Sequence, residues 1–175
     1  VAVGPAIAEA DGWNNESTGI VASLTAVACP STTQCWAVSS DKVIATSNGG
    51  QTWTTQLSNA PTSLDAVTCA STTMCLVAGY NQSSNAILRT TDGGATWRKV
   101  LFVSDWIGAM DVELQPGNPS VVYAWMSHLE RKPWTIISGG PSGGFYKSTD
   151  GGDHFTQITT GLPTGLIGKG NLAVT

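Results

Sequence analysis

Three eight-residue segments of the chain align without gaps: Thr46-Ser-Asn-Gly-Gly-Gln-Thr-Trp53, Thr90-Thr-Asp-Gly-Gly-Ala-Thr-Trp97 and Ser148-Thr-Asp-Gly-Gly-Asp-His-Phe155. Each reads as a tight turn with two fixed ends. The hydroxyl at the first position (Thr46, Thr90, Ser148) and the acid or amide at the third (Asn48, Asp92, Asp150) offer side-chain oxygens to amides of their own turn. The paired glycines, ending in Gly50, Gly94 and Gly152, supply positive-φ conformations that other residues resist. The closing ring (Trp53, Trp97, Phe155) is predicted to plug an apolar layer beneath. A repeat at this spacing means that one small supersecondary unit recurs and buries its faces against its own copies.

The rest of the unit repeats as well. Leu24–Cys29, a five-residue turn and Cys35–Val38 read as strand, turn, strand, and Leu64–Cys69 with Cys75–Ala78 repeats this 40 residues later (24 to 64). Third strands at Val43–Thr46 and Ala86–Thr90 run into the boxes, and fourth strands leave them. Four antiparallel strands in about 40 residues make a propeller blade. The expected architecture is therefore all-β, with blades at 24–63, 64–107 and 108–169. The third blade carries a long insertion at 127–144. A lead-in at 1–23 reads as strands of a preceding blade, and 170–175 as the first strand of a further one.

Composition agrees with short strands and excludes several functions. Charged residues are 11% of the 175, against about 25% in ordinary globular chains. Gly, Ser, Thr and Asn fill the gap, which argues against a helical bundle. The net charge of −4, with 8 Lys and Arg scattered along the chain, excludes a nucleic-acid face. No apolar run approaches the roughly 18 residues of a membrane helix.

With these residues in hand, the boxes resemble the Asp-box, or BNR repeat, of sialidases, xyloglucanase-type glycoside hydrolases, sortilin-type Vps10 domains and a photosystem II assembly factor. The resemblance covers most of the chain from Leu24 onward. Lys99–Asp105, Gly108–Asp111, Pro116–Ala124, Arg131–Trp134, Ser138–Gly144 and Gly161–Lys169 are similar to large bacterial sortilin-like exported proteins, many of them labelled glycosyl hydrolases. The Cys-Pro-Ser-Thr-Thr-x-Cys segment resembles a variant found in exported bacterial propellers. The resemblance implies a β-propeller, a secreted or extracytoplasmic setting, and boxes on the outer rim away from the central pocket. It implies no single activity.

Cys29 and Cys35, and likewise Cys69 and Cys75, bracket five residues across a hairpin turn, where facing strand positions come within disulfide range. Two intra-blade disulfides are expected, with reduced buried thiols as the other state; one zinc held by all four would need closer pairs. Disulfides in turn imply an oxidising compartment. Asp92, Asp150 and Asp153 are too few for a Ca²⁺ cage, so neither metal nor cofactor is expected.

Glycosidase chemistry needs two carboxyls across the scissile bond. Asp65 and Asp111 occupy early positions on successive first strands, an equivalent placement that would set both near a common axis; Glu113 is the further candidate. A sialidase would also need an arginine cluster, but Arg89 and Arg98 flank boxes, leaving Arg131. For binding, Trp106, Trp125, Arg131 and Trp134 could present stacking and charged groups to sugar or peptide; in the plainer alternative, Trp125 is strand core and Trp134 tethers its loop. Propellers close with typically 4–8 blades, so the partners expected are the rest of a longer polypeptide or further copies. The expected function is a binding or scaffolding surface for protein or glycan, with part of a carbohydrate-active hydrolase as the alternative and a photosystem-type assembly factor third.

Overall fold

The computed structural model describes residues 18, 19, 23–80, 85–163, 165, 167, 168 and 170–175. Most of the 1–23 lead-in therefore lies outside the described residues. The rest is all-β: three sheets in sequence, each built from neighbouring strands in antiparallel order. The first holds β1 (Leu24–Ala28), β2 (Cys35–Ser39), β3 (Val43–Thr46) and β4 (Thr54–Leu57). The second holds β5 (Leu64–Cys69), β6 (Cys75–Gly79), β7 (Ala86–Thr90) and β8 (Arg98–Leu101). The third holds β9 (Ile107–Gln115), β10 (Asn118–Lys132), β11 (Thr135–Ser138), β12 (Gly144–Ser148) and β13 (Thr156–Gln157).

The sheets stack face against face, with the first strands β1, β5 and β9 side by side. Blade 1 presents Trp36, Val38, Val43 and Ala45 to Leu64, Val67, Val77 and Leu88 of blade 2. Blade 2 turns its other face, Leu76, Ala78, Ile87 and Leu101, toward Ala109, Val112, Val122 and Met126 of blade 3. Period-2 alternation explains this economy, since a strand buried on both sides can serve two neighbours. Strand β6 is accordingly buried throughout.

The turn boxes form one constellation three times. The Thr46 hydroxyl donates to Asn48 Oδ1 and accepts from the Gly50 amide, while Asn48 Oδ1 accepts the Thr52 amide. Thr90, Asp92, Gly94 and Thr96 repeat this, as do Ser148, Asp150, Gly152 and His154. Both glycines of each box have positive φ, between 71° and 98°. The first glycine's amide then donates to the hairpin of the blade's first two strands: Gly49 to Thr33 and Gly93 to Thr73 in its turn, Gly151 to Ser120 near the start of β10. Each box thereby clamps its own blade. The rings Trp53, Trp97 and Phe155 are half-buried rather than sealed in, because the fourth strands covering them are short. The disulfides Cys29–Cys35 and Cys69–Cys75 close those turns in blades 1 and 2.

Two of these expectations change, and the structure adds a third feature. The insertion at 127–144 is no separate loop: β10 runs unbroken to Lys132 and returns as β11, so the blade's second strand projects as a hairpin beyond its sheet. Residues 170–175 form no strand; they lie across the far face of blade 3, where the Leu172 amide donates to Asp111 Oδ2 at 2.8 Å. The first strands are each bulged, between Leu24 and Ala26, Leu64 and Ala66, and Ala109 and Asp111. The bulged residues are thus Thr25, Asp65 and Met110.

Candidate functional site

The boxes and disulfide turns share one end of the stacked sheets. The linkers between blades, the Tyr80 corner and the β10–β11 hairpin share the opposite end. Close backbone approach builds this second end. The Tyr80 amide donates to the Ser63 carbonyl at 2.8 Å. The Tyr80 ring lies against Gly108 so tightly that a Cβ there would sit 2.3 Å from its Cδ2. Any side chain at 108 would displace the ring.

Ser63, Asp65, Tyr80, Met110, Leu129 and Asn171 line a cavity of about 420 Å³ at this end. Asp65 is its carboxylate among these lining residues. Burial, followed by the charge of Glu130, raises the Tyr80 phenol above its ordinary pKa, which keeps it a neutral hydroxyl at neutral pH. The Trp106 and His128 rings lie 6.0 Å apart. Glu130 spans between His128 Nε2 at 3.7 Å and Lys132 Nζ at 3.4 Å. Trp106 is 52% exposed and Trp134, at the hairpin turn, 80%. Arg131 is exposed as well.

The carboxylates singled out from sequence do not assemble as an equivalent pair. The bulge in β9 falls at Met110, so the counterpart of Asp65 in blade 3 is Met110, not Asp111. A one-residue offset in register turns a side chain to the other face. Asp111 instead pairs with Trp125 on β10 and spends its oxygens on the amides of Val112 and Leu172. Glu113 stands two residues along the same strand, its pKa raised by partial burial and then by Asp111. These two acids form one edge of the far face of blade 3, along with Tyr123, Trp125, Phe145 and Lys147.

Trp125 is corrected as a surface binding residue. It is 1% exposed and packs against Phe145 with centroids 4.5 Å apart, because β10 carries it inward and Gly170 closes over its ring. Trp106, Arg131 and Trp134 remain on the open end. Reading the sequence alone missed Tyr80, Met110, Leu129 and Asn171, which come from four separate segments and carry no shared motif. At the opposite end, Asp150, Asp153 and His154 offer ligand atoms within 4.8 Å of one another. Asp150 Oδ1 already accepts from Ser148 and two amides, and Asp153 Oδ1 meets Arg98.

Antiparallel sheets of four, four and five strands, stacked through their first strands, define a partial β-propeller. No family model matches the chain, and no curated protein matches it. Solved propellers do. YCF48 bound to a D1 peptide is similar over 79% of this chain at TM-score 0.57 and 17% identity. An ancestral GH74 enzyme is similar over 82% at TM-score 0.60 and 17% identity. A GH74 enzyme of Niastella koreensis is similar over 78% at TM-score 0.56 and 16% identity. The chain spans 41% of the first of these and 19% and 22% of the others.

Proposed function

We propose that this chain is a segment of an extracytoplasmic propeller of the Asp-box type, acting as a binding or scaffolding surface for protein or glycan. The observation that carries this reading is the asymmetry of the two ends. One end is occupied by self-satisfied turns; the other gathers a cavity with Asp65 and Tyr80, a projecting hairpin, and exposed Trp106 and Trp134. Exposed large rings at the end that holds a polar cavity suit stacking on sugar or peptide groups. Two disulfides support an oxidising compartment, and further blades, from a longer polypeptide or other copies, would cover the outer faces.

A second reading is part of a glycoside hydrolase, favoured by the GH74 structures. It would draw its second carboxyl from outside these residues, since Met110 stands where the partner of Asp65 would be. Paired glycan and peptide arrays test the first reading. Binding that falls with Asp65→Asn and Tyr80→Phe is expected; binding indifferent to both variants would overturn it. Hydrolysis of xyloglucan oligosaccharides, lost in Asp65→Asn, would favour the second.

A further inference from the structure

We infer that the outer edge of β11 is an acceptor for one extended, acidic peptide strand of a partner protein, which pairs with the main chain at Ile136. This deepens the binding reading by naming the partner's chemistry, and rests on it. The hairpin turns through Pro133–Trp134, with Lys132 opposite Thr135, Arg131 opposite Ile136 and Glu130 opposite Ile137. In an antiparallel ribbon with a two-residue turn, the closing pair is hydrogen-bonded and the next pair is not. The amide and carbonyl of Ile136 therefore point away from β10, toward solvent. Ile167 and Gly168 already run along the Ser138–Gly139 end, so among the described residues the open stretch is Thr135 to Ile137.

Unpaired edges normally carry a charge, a proline or a bulge that stops another strand from adding. The four residues of β11, Thr-Ile-Ile-Ser, carry none of these. The side chains of Trp134 and Ile136 are 80% and 62% exposed, so the edge is both open and apolar. Charge selects the occupant. The chain holds three arginines and a net charge of −4. Arg89 and Arg98 are both held by Asp153. Arg131 meets no carboxylate among the described residues, and it shares its face of the hairpin with Ile136. A strand added beside Ile136 thus presents alternate side chains to an apolar surface backed by an unneutralised guanidinium.

The test measures anisotropy of a labelled eight-residue peptide of alternating Glu and Val against its Lys–Val counterpart. The Glu–Val peptide should bind, and the Lys–Val peptide at least about tenfold more weakly. Ile136→Pro removes the outward-facing amide and the exposed side chain but no hydrogen bond to β10, so circular dichroism should be unchanged while affinity falls about tenfold or more. Arg131→Gln should weaken binding roughly threefold, the scale of an exposed ion pair, and flatten its salt dependence. No binding at millimolar peptide, or equal affinity for both peptides, overturns the inference. Binding that survives Ile136→Pro but falls with Tyr80→Phe overturns it too, and leaves the cavity as the binding site. Concentration-dependent dimers abolished by Ile136→Pro, without peptide binding, would assign the edge to a second copy instead.

Discussion

The joint between blades 1 and 2 and the joint between blades 2 and 3 solve one packing problem differently. The first is almost wholly apolar, with Trp36 at its centre and small or β-branched residues around it. Its rim positions are Ala45 and Thr54, where blade 2 has Arg89 and Arg98. The second joint has no tryptophan among its buried residues, spreading its apolar contact over Leu, Ile, Met126 and Tyr146, and adds a polar latch. There Arg89 Nε donates to the Gly151 carbonyl at 2.9 Å, and Arg89 and Arg98 both meet Asp153. Gly152 sits flush on Leu76. The covalent staples are distributed the other way: blades 1 and 2 have disulfides and blade 3 has none. The same turn box can thus be embedded in a joint held by one large ring or by charges on its own rim, because the box completes its hydrogen bonds internally.

The sharpest way to break the comparison is Trp36→Ala. Trp36 is 2% exposed, and truncating such a ring costs about 3–5 kcal/mol. Denaturant unfolding should show this loss; a loss below about 1 kcal/mol would mean that the apolar joint does not depend on its ring. Next in size, replacing Cys69 and Cys75 together by Ser should cost roughly 2 kcal/mol, as the loop closed is short. Thermal melts of this variant, set beside the same change at Cys29 and Cys35, report whether blade 2 leans harder on its staple because it has neighbours on both faces.

Smaller still is the latch. Asp153→Asn should cost below about 1 kcal/mol and lose its effect in high salt, because Asp153 and Arg98 are substantially exposed and such pairs are screened. A loss that persists at 1 M salt would show that the latch works through packing, not charge. The smallest effect concerns pH. The Thr96 hydroxyl and amide, with Thr90, hold the Asp92 carboxyl down at about 2, and bonds from His154 and Ser148 depress Asp150 likewise. A depressed folded pKa stabilises the fold above the ordinary carboxylate range near about 4, and that contribution drains as pH falls toward the folded value. Blade 1 has Asn48 at this position and nothing to protonate. Asp92→Asn should therefore flatten the acid limb of the stability curve; an unchanged limb would place acid sensitivity outside the second box.

Much of the fold was legible because its parts are short-range. A hydroxyl, an acid and two glycines within eight residues complete a turn without help, and cysteines six apart across a hairpin meet by strand pairing alone. The candidate site was legible only in fragments. Asp65, Trp106, Arg131 and Trp134 carry chemistry that stands out in a sparsely charged chain, whereas Tyr80, Met110 and Leu129 look like ordinary strand residues.

What the chain's order of residues settled by itself was the repeating unit, its turns and its staples, since each is satisfied by neighbours in sequence. Which face a side chain occupies was decided in three dimensions. One extra residue at Met110 separates Asp111 from the cavity that Asp65 lines, continuous pairing turns an insertion into the β10–β11 hairpin, and contact with Phe145 and Gly170 buries Trp125. Register and burial are properties of partners distant in sequence, and a local pattern carries no record of them.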